Sequence, residues 1–215
     1  AVVGRNGSGK TTFIKLMCRL YDVTDGEILI NGVNIKDYTK DSIIKLYSVV
    51  FQDFKIFSVS LKDNICANSD FEGDRFYTCL ENADIKERTE HMPNKENTYL
   101  YKDLDENGVE ISGGEAQKLA LARALYKDAP IVVLDEPTAA LDPIAENEIY
   151  TRFNTFVQGK TAIYISHRLS SCAFCDKIAV FNNAKLAETG THKDLLSAGG
   201  KYAELWNAQA KYYIQ

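Results

Sequence analysis

Short apolar runs alternate with stretches of helical character along the chain. Tyr47 to Phe51, Ile131 to Leu134 and Thr161 to Ile165 are largely apolar, of strand length, and bounded by polar or turn residues. Thr11 to Leu20 and Glu115 to Lys127 read as helices, and another opens at Asp142-Pro143, with aspartate at the cap and proline at the first helical position. Glu27 to Ile30 and Val33 to Ile35 flank Asn31-Gly32, the dipeptide of a tight hairpin turn. Strands alternating with helices argue for a largely parallel sheet covered on both faces. From Asp53 to about Ala120 the pattern changes to helices and polar loops, with helices expected over Ser60 to Asn68 and Gly73 to Glu90 and a turn-rich stretch from Pro93 to Gly108. This predicts an inserted helical subdomain.

Composition narrows the function classes. At 215 residues the chain is long enough to bury a sizeable apolar core. A net charge of -5 provides no general basic surface for a polyanion, so nucleic acid is not an expected partner. No run approaches the roughly 18 apolar residues that a membrane span needs, and no secretory signal opens the chain. The five cysteines are odd in number and scattered, which suits reduced thiols. Cys172 and Cys175 form a lone C-x-x-C in an expected short helix, without the second pair that a zinc site requires. Ala1, Val2 and Val3 lead straight into a glycine loop, where a feeding strand has about five or six residues; sequence upstream of Ala1 is expected.

Three motifs carry chemistry. In Gly4-Arg5-Asn6-Gly7-Ser8-Gly9-Lys10-Thr11-Thr12 the spacing is that of a phosphate loop, whose glycines let successive N–H groups converge on a phosphate while the following helix adds its positive end. Lys10 is expected on the β- and γ-phosphates and the Thr11 hydroxyl on Mg²⁺. Alone, this loop would equally suit a kinase, a GTPase or a motor. Asp135 and Glu136 end a strand of buried apolar residues, which sets both carboxylates at the carboxyl edge of the sheet beside the loop. There Asp135 suits Mg²⁺, through water, and Glu136 is the candidate general base. Ser112-Gly113-Gly114-Glu115 reads as a capping box, and a capped helix start is also an anion site.

These runs, in this order, with Gln52 before Ser112 and His167 after Glu136, resemble the nucleotide-binding domain of the ABC transporter superfamily. The resemblance covers nearly the whole chain. It implies an α/β fold: a P-loop NTPase (RecA-like) core with a mostly parallel sheet, residues 1–53 and 121–215, an inserted α-helical subdomain at 54–120 bearing the signature, and a truncated N-terminal antiparallel β region. By the same resemblance Gln52 contacts Mg²⁺ or the attacking water, His167 contacts the γ-phosphate, Asp142 lies in the loop that crosses a dimer interface, and Ser112, Gly113 and Gly114 face ATP held by the opposite subunit. The cofactors implied are ATP and Mg²⁺. The partners implied are a second nucleotide-binding domain, in a homo- or heterodimer, and a transmembrane domain fused upstream, at the cytoplasmic face of a membrane.

Exporter character rests on Val59-Ser60-Leu61-Lys62-Asp63-Asn64-Ile65, on Glu106-Asn107-Gly108, and on the tail from Gly190-Thr191-His192 to Trp206. Two other classes use the same motifs: a soluble ABC-type ATPase not coupled to transport, and a nucleotide-gated binding module with little turnover. The family places an aromatic that stacks on adenine upstream of the loop. Stacking of this kind is worth roughly 1–3 kcal/mol, so nucleotide affinity without it is expected to be weaker by up to about a hundredfold. Glu115 stands where the family usually has glutamine; it either weakens the dimer or is held away by its capping bond.

Overall fold

The computed structural model describes residues 1–67, 69–137, 154, 156–166 and 168–213, with residues 170, 171 and 210–213 described by backbone alone. In chain order the elements are β1 (Val2–Val3), α1 (Lys10–Met17), β2 (Leu29–Ile30), β3 (Val33–Asn34), α2 (Lys40–Leu46), β4 (Tyr47–Val50), α3 (Leu61–Cys66), α4 (Gly73–Asn82), α5 (Lys86–Glu90), α6 (Gly113–Lys127), β5 (Ile131–Asp135), β6 (Thr161–Ile165), β7 (Ile178–Asn182), β8 (Lys185–Gly190), α7 (His192–Ser197) and α8 (Lys201–Tyr213). Six strands form one sheet in the order β4-β5-β6-β1-β7-β8, with β1 parallel to β6 and β7 and β8 antiparallel to β7. The expected α/β architecture with a mostly parallel sheet is the one observed. Asn31 and Gly32 have φ of 52° and 81° and join β2 to β3 in the expected hairpin turn, though each strand is only two residues long.

Contacts gather into two compact units. The first comprises Ala1–Tyr47, Val133–Glu136 and Ala162–Gln215. One core there is built from Val3, Ile178 and Val180 of the sheet with Leu169, Cys172, Leu195 and Tyr202 packed against them. Cys172 is therefore a small apolar core residue, at the end of a single 3₁₀ turn, Leu169–Cys172. The tail closes over this core. Thr191 and Asp194 form a capping box at α7, and the His192 and Trp206 rings meet with centroids 4.5 Å apart. α8 starts after Gly200, which has no side chain to cap it. Glu188 of β8 supplies one, its carboxylate accepting from Lys201 N–H at 2.5 Å and Tyr202 N–H at 3.1 Å.

The second unit, Ser48–Val132 with Pro137–Thr161, contains α3 to α6. α3 and α4 both pack on α6, and Leu61, Ile65, Phe76 and Leu80 of the first two and Leu119, Leu121 and Leu125 of the third are buried. The helix expected over Gly73 to Glu90 is broken in two. α4 ends in a Schellman motif, in which Asp84 has φ 58°, its N–H donates to Glu81 O at 3.0 Å, and Ile85 N–H donates to Leu80 O at 3.0 Å. A left-handed conformation costs an L-residue about 1–2 kcal/mol. Burial of Ile85 and Leu80 at the motif's hydrophobic contact, and the Lys118 ammonium on the Asp84 carbonyl at 3.0 Å, offset it.

Because Glu188 satisfies two N–H groups at the start of α8, Glu188→Ala is expected to lower stability by about 1–2 kcal/mol. Urea unfolding followed by far-UV circular dichroism would measure it; an unchanged midpoint would show the cap to be inconsequential.

Candidate functional site

β1 ends at Val3 and the chain enters the glycine loop, so the loop hangs from the carboxyl edge of a parallel sheet. Its shape is set by close backbone approach. A Cβ on Gly4 would stand 2.4 Å from the Phe181 carbonyl oxygen and 2.6 Å from Ser8 Oγ, so no other residue fits there. Gly9 is the N-cap of α1 with φ 98°, and a Cβ there would sit 3.3 Å from Ala184 Cα. The β7–β8 turn therefore braces the loop. Ala184 N–H donates to Ser8 O at 3.1 Å, and the Phe13 and Phe181 rings pack with centroids 5.2 Å apart. Sequence reasoning did not find this brace, because Asn183-Ala184 lacks the glycine that marks a tight turn, although both residues have positive φ.

Within the loop, Arg5, Asn6 and Gly7 are exposed whereas Ser8 and Lys10 are buried. The Lys10 ammonium donates to Gly4 O at 2.9 Å and Arg5 O at 3.1 Å. Burial lowers its pKa, and the Glu136 and Asp135 carboxylates pull in the opposite direction. Thr11 Oγ1–H donates to Asp135 Oδ2 at 3.2 Å. Ser8 Oγ is buried without a hydrogen-bond partner. An unsatisfied hydroxyl, a cation and the N–H groups of a helix start thus converge on one cradle, a donor set that fits a phosphate chain. The hydroxyl–carboxylate pair of Thr11 and Asp135 fits a hard cation such as Mg²⁺.

Asp135 is the last residue of β5 and only 1% exposed. Glu136 follows with φ 52°, its N–H donating to Ile165 O at 3.0 Å at the end of β6. This left-handed residue turns the chain out of the sheet directly after the buried carboxylate. Lys10, Thr11, Asp135 and Glu136 are thereby brought together in the first unit, as the position of both carboxylates at the end of an apolar strand implied. His167 and Asp142 lie outside the described residues.

Gln52 follows β4 in an exposed turn of the second unit, with Phe54 N–H donating to Phe51 O at 3.2 Å. The segment just after it is clamped. Asn64 Oδ1 accepts from Phe57 N–H at 2.9 Å, while its amide donates to Phe57 O, Val59 O and Ser60 O. Arg123 of α6 donates to Asn64 O at 2.7 Å and Lys55 O at 3.0 Å. The Arg123 bonds have no local sequence signal, since their partners lie 59 and 68 positions away. At the head of α6 the capping box is present, with Ser112 Oγ accepting from Glu115 N–H at 3.3 Å and Glu115 Oε2 accepting from Ser112 N–H at 2.7 Å. Arg88 Nε donates to Glu115 Oε1 at 2.7 Å. Partial burial raises the Glu115 pKa, but the Ser112 N–H and Arg88 outweigh it and bring it below the ordinary value.

A family description, ABC transporter, matches residues 1–139. The chain is 40% identical over 210 residues to ABC transporter B family member 6 of Dictyostelium discoideum and 41% identical over 211 residues to the ATP-dependent lipid A-core flippase of Idiomarina loihiensis. Each match covers 97% of this chain but only 30% and 36% of those proteins, so the chain spans about a third of the relatives it matches. A solved structure of a bacterial Atm1-family ABC exporter with ATP bound is similar, with a TM-score of 0.90, 36% identity, and coverage of 97% of this chain and 36% of that one.

Two substitutions test the backbone argument. Gly4→Ala drives a Cβ into the Phe181 carbonyl and is expected to cost about 1–3 kcal/mol in urea unfolding. Glu136→Gly is expected to be more stable than Glu136→Ala by about 1 kcal/mol, since glycine relieves the left-handed strain; the reverse order would remove that strain from the argument.

Proposed function

The chain belongs to the ABC transporter family, and from that premise we propose that it binds and hydrolyses ATP as the nucleotide-binding domain of an exporter. The observation that carries this reading is the Thr11 hydroxyl on the Asp135 carboxylate, beside the buried Lys10 and next to Glu136, at the carboxyl edge of one sheet. A phosphate loop built only for recognition has no need of the second carboxylate. In this reading the loop from Gly4 to Thr12 binds the phosphates. Lys10 exchanges its two carbonyl partners for β- and γ-phosphate oxygens, which relieves the cost of a buried cation. Thr11, Asp135 and Gln52 would hold Mg²⁺, which supplies charge neutralisation for the phosphates. The Glu136 carboxylate takes a proton from water, whose oxygen bonds to the γ-phosphorus as the bond to the bridging oxygen of ADP breaks.

By membership of the family, His167 contacts the γ-phosphate and Asp142 lies at the dimer interface. Ser112, Gly113 and Gly114 act on ATP held by a second nucleotide-binding domain. ATP closes this head-to-tail dimer and hydrolysis reopens it, moving a transmembrane domain from the cytoplasmic face of a membrane. The capped helix start at Ser112 supports that role, since it offers N–H groups to an anion.

Glu136→Gln is expected to lower phosphate release by roughly 10²–10⁴-fold with Mg²⁺ and ATP, the usual weight of a general base, and to accumulate an ATP-dependent dimer on sedimentation. Wild-type turnover without any such dimer in Glu136→Gln would sink the two-domain clamp. Equal phosphate release in both proteins would remove Glu136 from the chemistry.

A further inference from the structure

α6 begins with a carboxylate, Glu115, at a position where a negative charge opposes the binding of an anion. Its neighbours define what that carboxylate is free to do. Oε2 is held by Ser112 N–H and Oε1 by Arg88 Nε, both at 2.7 Å. Arg88 comes from α5, 27 positions earlier, so this contact is a tertiary one and not part of the capping box. Turning the carboxylate toward a ligand in front of α6 would break two bonds, one of them charge-assisted. Keeping it in place leaves the Ser112 hydroxyl hydrogen and the first N–H groups of the helix available for an anion.

Resting on the ABC reading above, the geometry points to Arg88 as a positioning residue of the signature: it locks Glu115 into the capping box and cancels its charge, so that Ser112, Gly113 and Gly114 present an electropositive helix start to the phosphates of ATP on a second domain. The pair has side chains 41% and 27% exposed, so it contributes little to stability. Its effect is instead on the anion. An uncancelled carboxylate at the helix start lies within a Debye length of whatever the helix faces, at about 8 Å in physiological salt, and repels it. The lowered pKa of Glu115 agrees, because the carboxylate stays charged at neutral pH and needs a counter-charge.

The test is a double-mutant cycle in this chain carrying Glu136→Gln, so that ATP-dependent dimer accumulates and sedimentation reports the ATP concentration at half-assembly. Arg88→Ala is expected to raise that concentration roughly three- to tenfold with Glu115 present and less than twofold when combined with Glu115→Gln, the non-additivity typical of a contacting pair. The Arg88→Ala defect is also expected to shrink as salt rises from about 50 mM to about 500 mM, since it is electrostatic in origin. Arg88→Met, which keeps the apolar stem, repeats the measurement should Arg88→Ala fail to fold. A defect of equal size in the Glu115→Gln background, or no defect at all, overturns the inference and leaves the ABC reading intact. Absence of ATP-dependent dimer in every variant, including the chain with Arg88 and Glu115 unchanged, overturns the ABC clamp and the inference with it.

Discussion

A buried ammonium is the constraint on which the phosphate loop depends. Lys10 is 6% exposed, and a cation removed from water at that depth must be surrounded by acceptors and negative charge. The loop provides the acceptors by folding its Gly4 and Arg5 carbonyls back onto the ammonium. β5 provides the charge through Asp135 and Glu136 at its end. Neither source works unless β1 and β5 end at the same edge of one sheet, which parallel strands ensure. A phosphate chain would satisfy the same cation with stronger, charged acceptors than these carbonyls.

Rigidity at the loop is achieved through backbone rather than side chains. A side chain at Gly4 would strike the Phe181 carbonyl and one at Gly9 would crowd Ala184, so the β7–β8 hairpin packs closely against the loop. The same economy appears at the head of α6, where Ser112 and Glu115 exchange bonds and the helix start is fixed by its own first turn. Within the second unit Arg123 joins α6 to the segment that follows Gln52, through Lys55 O and Asn64 O. Gln52 and the signature thus lie in the same compact unit.

The places where local rules failed share a cause. α1 and α4 both end in Schellman motifs whose left-handed residue is Arg19 or Asp84 and not glycine. Each residue has a distant partner: Arg19 donates to the Ile35 carbonyl at 3.1 Å, and the Asp84 carbonyl accepts from Lys118 at 3.0 Å. A window of sequence contains no trace of either partner, so the Gly73 to Glu90 pattern reads as one helix. α2 leaves almost no periodic signal in the sequence although Thr39 caps it, because its seven residues have one buried position, Ile43.

What the sequence by itself determined is the chemistry and the order of its parts: the phosphate loop, the two carboxylates after an apolar strand, the capping box at Ser112, and the Asn31-Gly32 turn. These are legible because each is local, its residues lying within one turn or one loop of one another. Only the tertiary structure decided that Ala184 and Phe181 brace the loop, that Glu188 caps α8, and that Arg88 rather than solvent faces Glu115. Those contacts close long loops, and their partners are chosen by which strands share an edge and which helices share a core. That choice is made by burial over the whole chain, and no spacing within a motif encodes it.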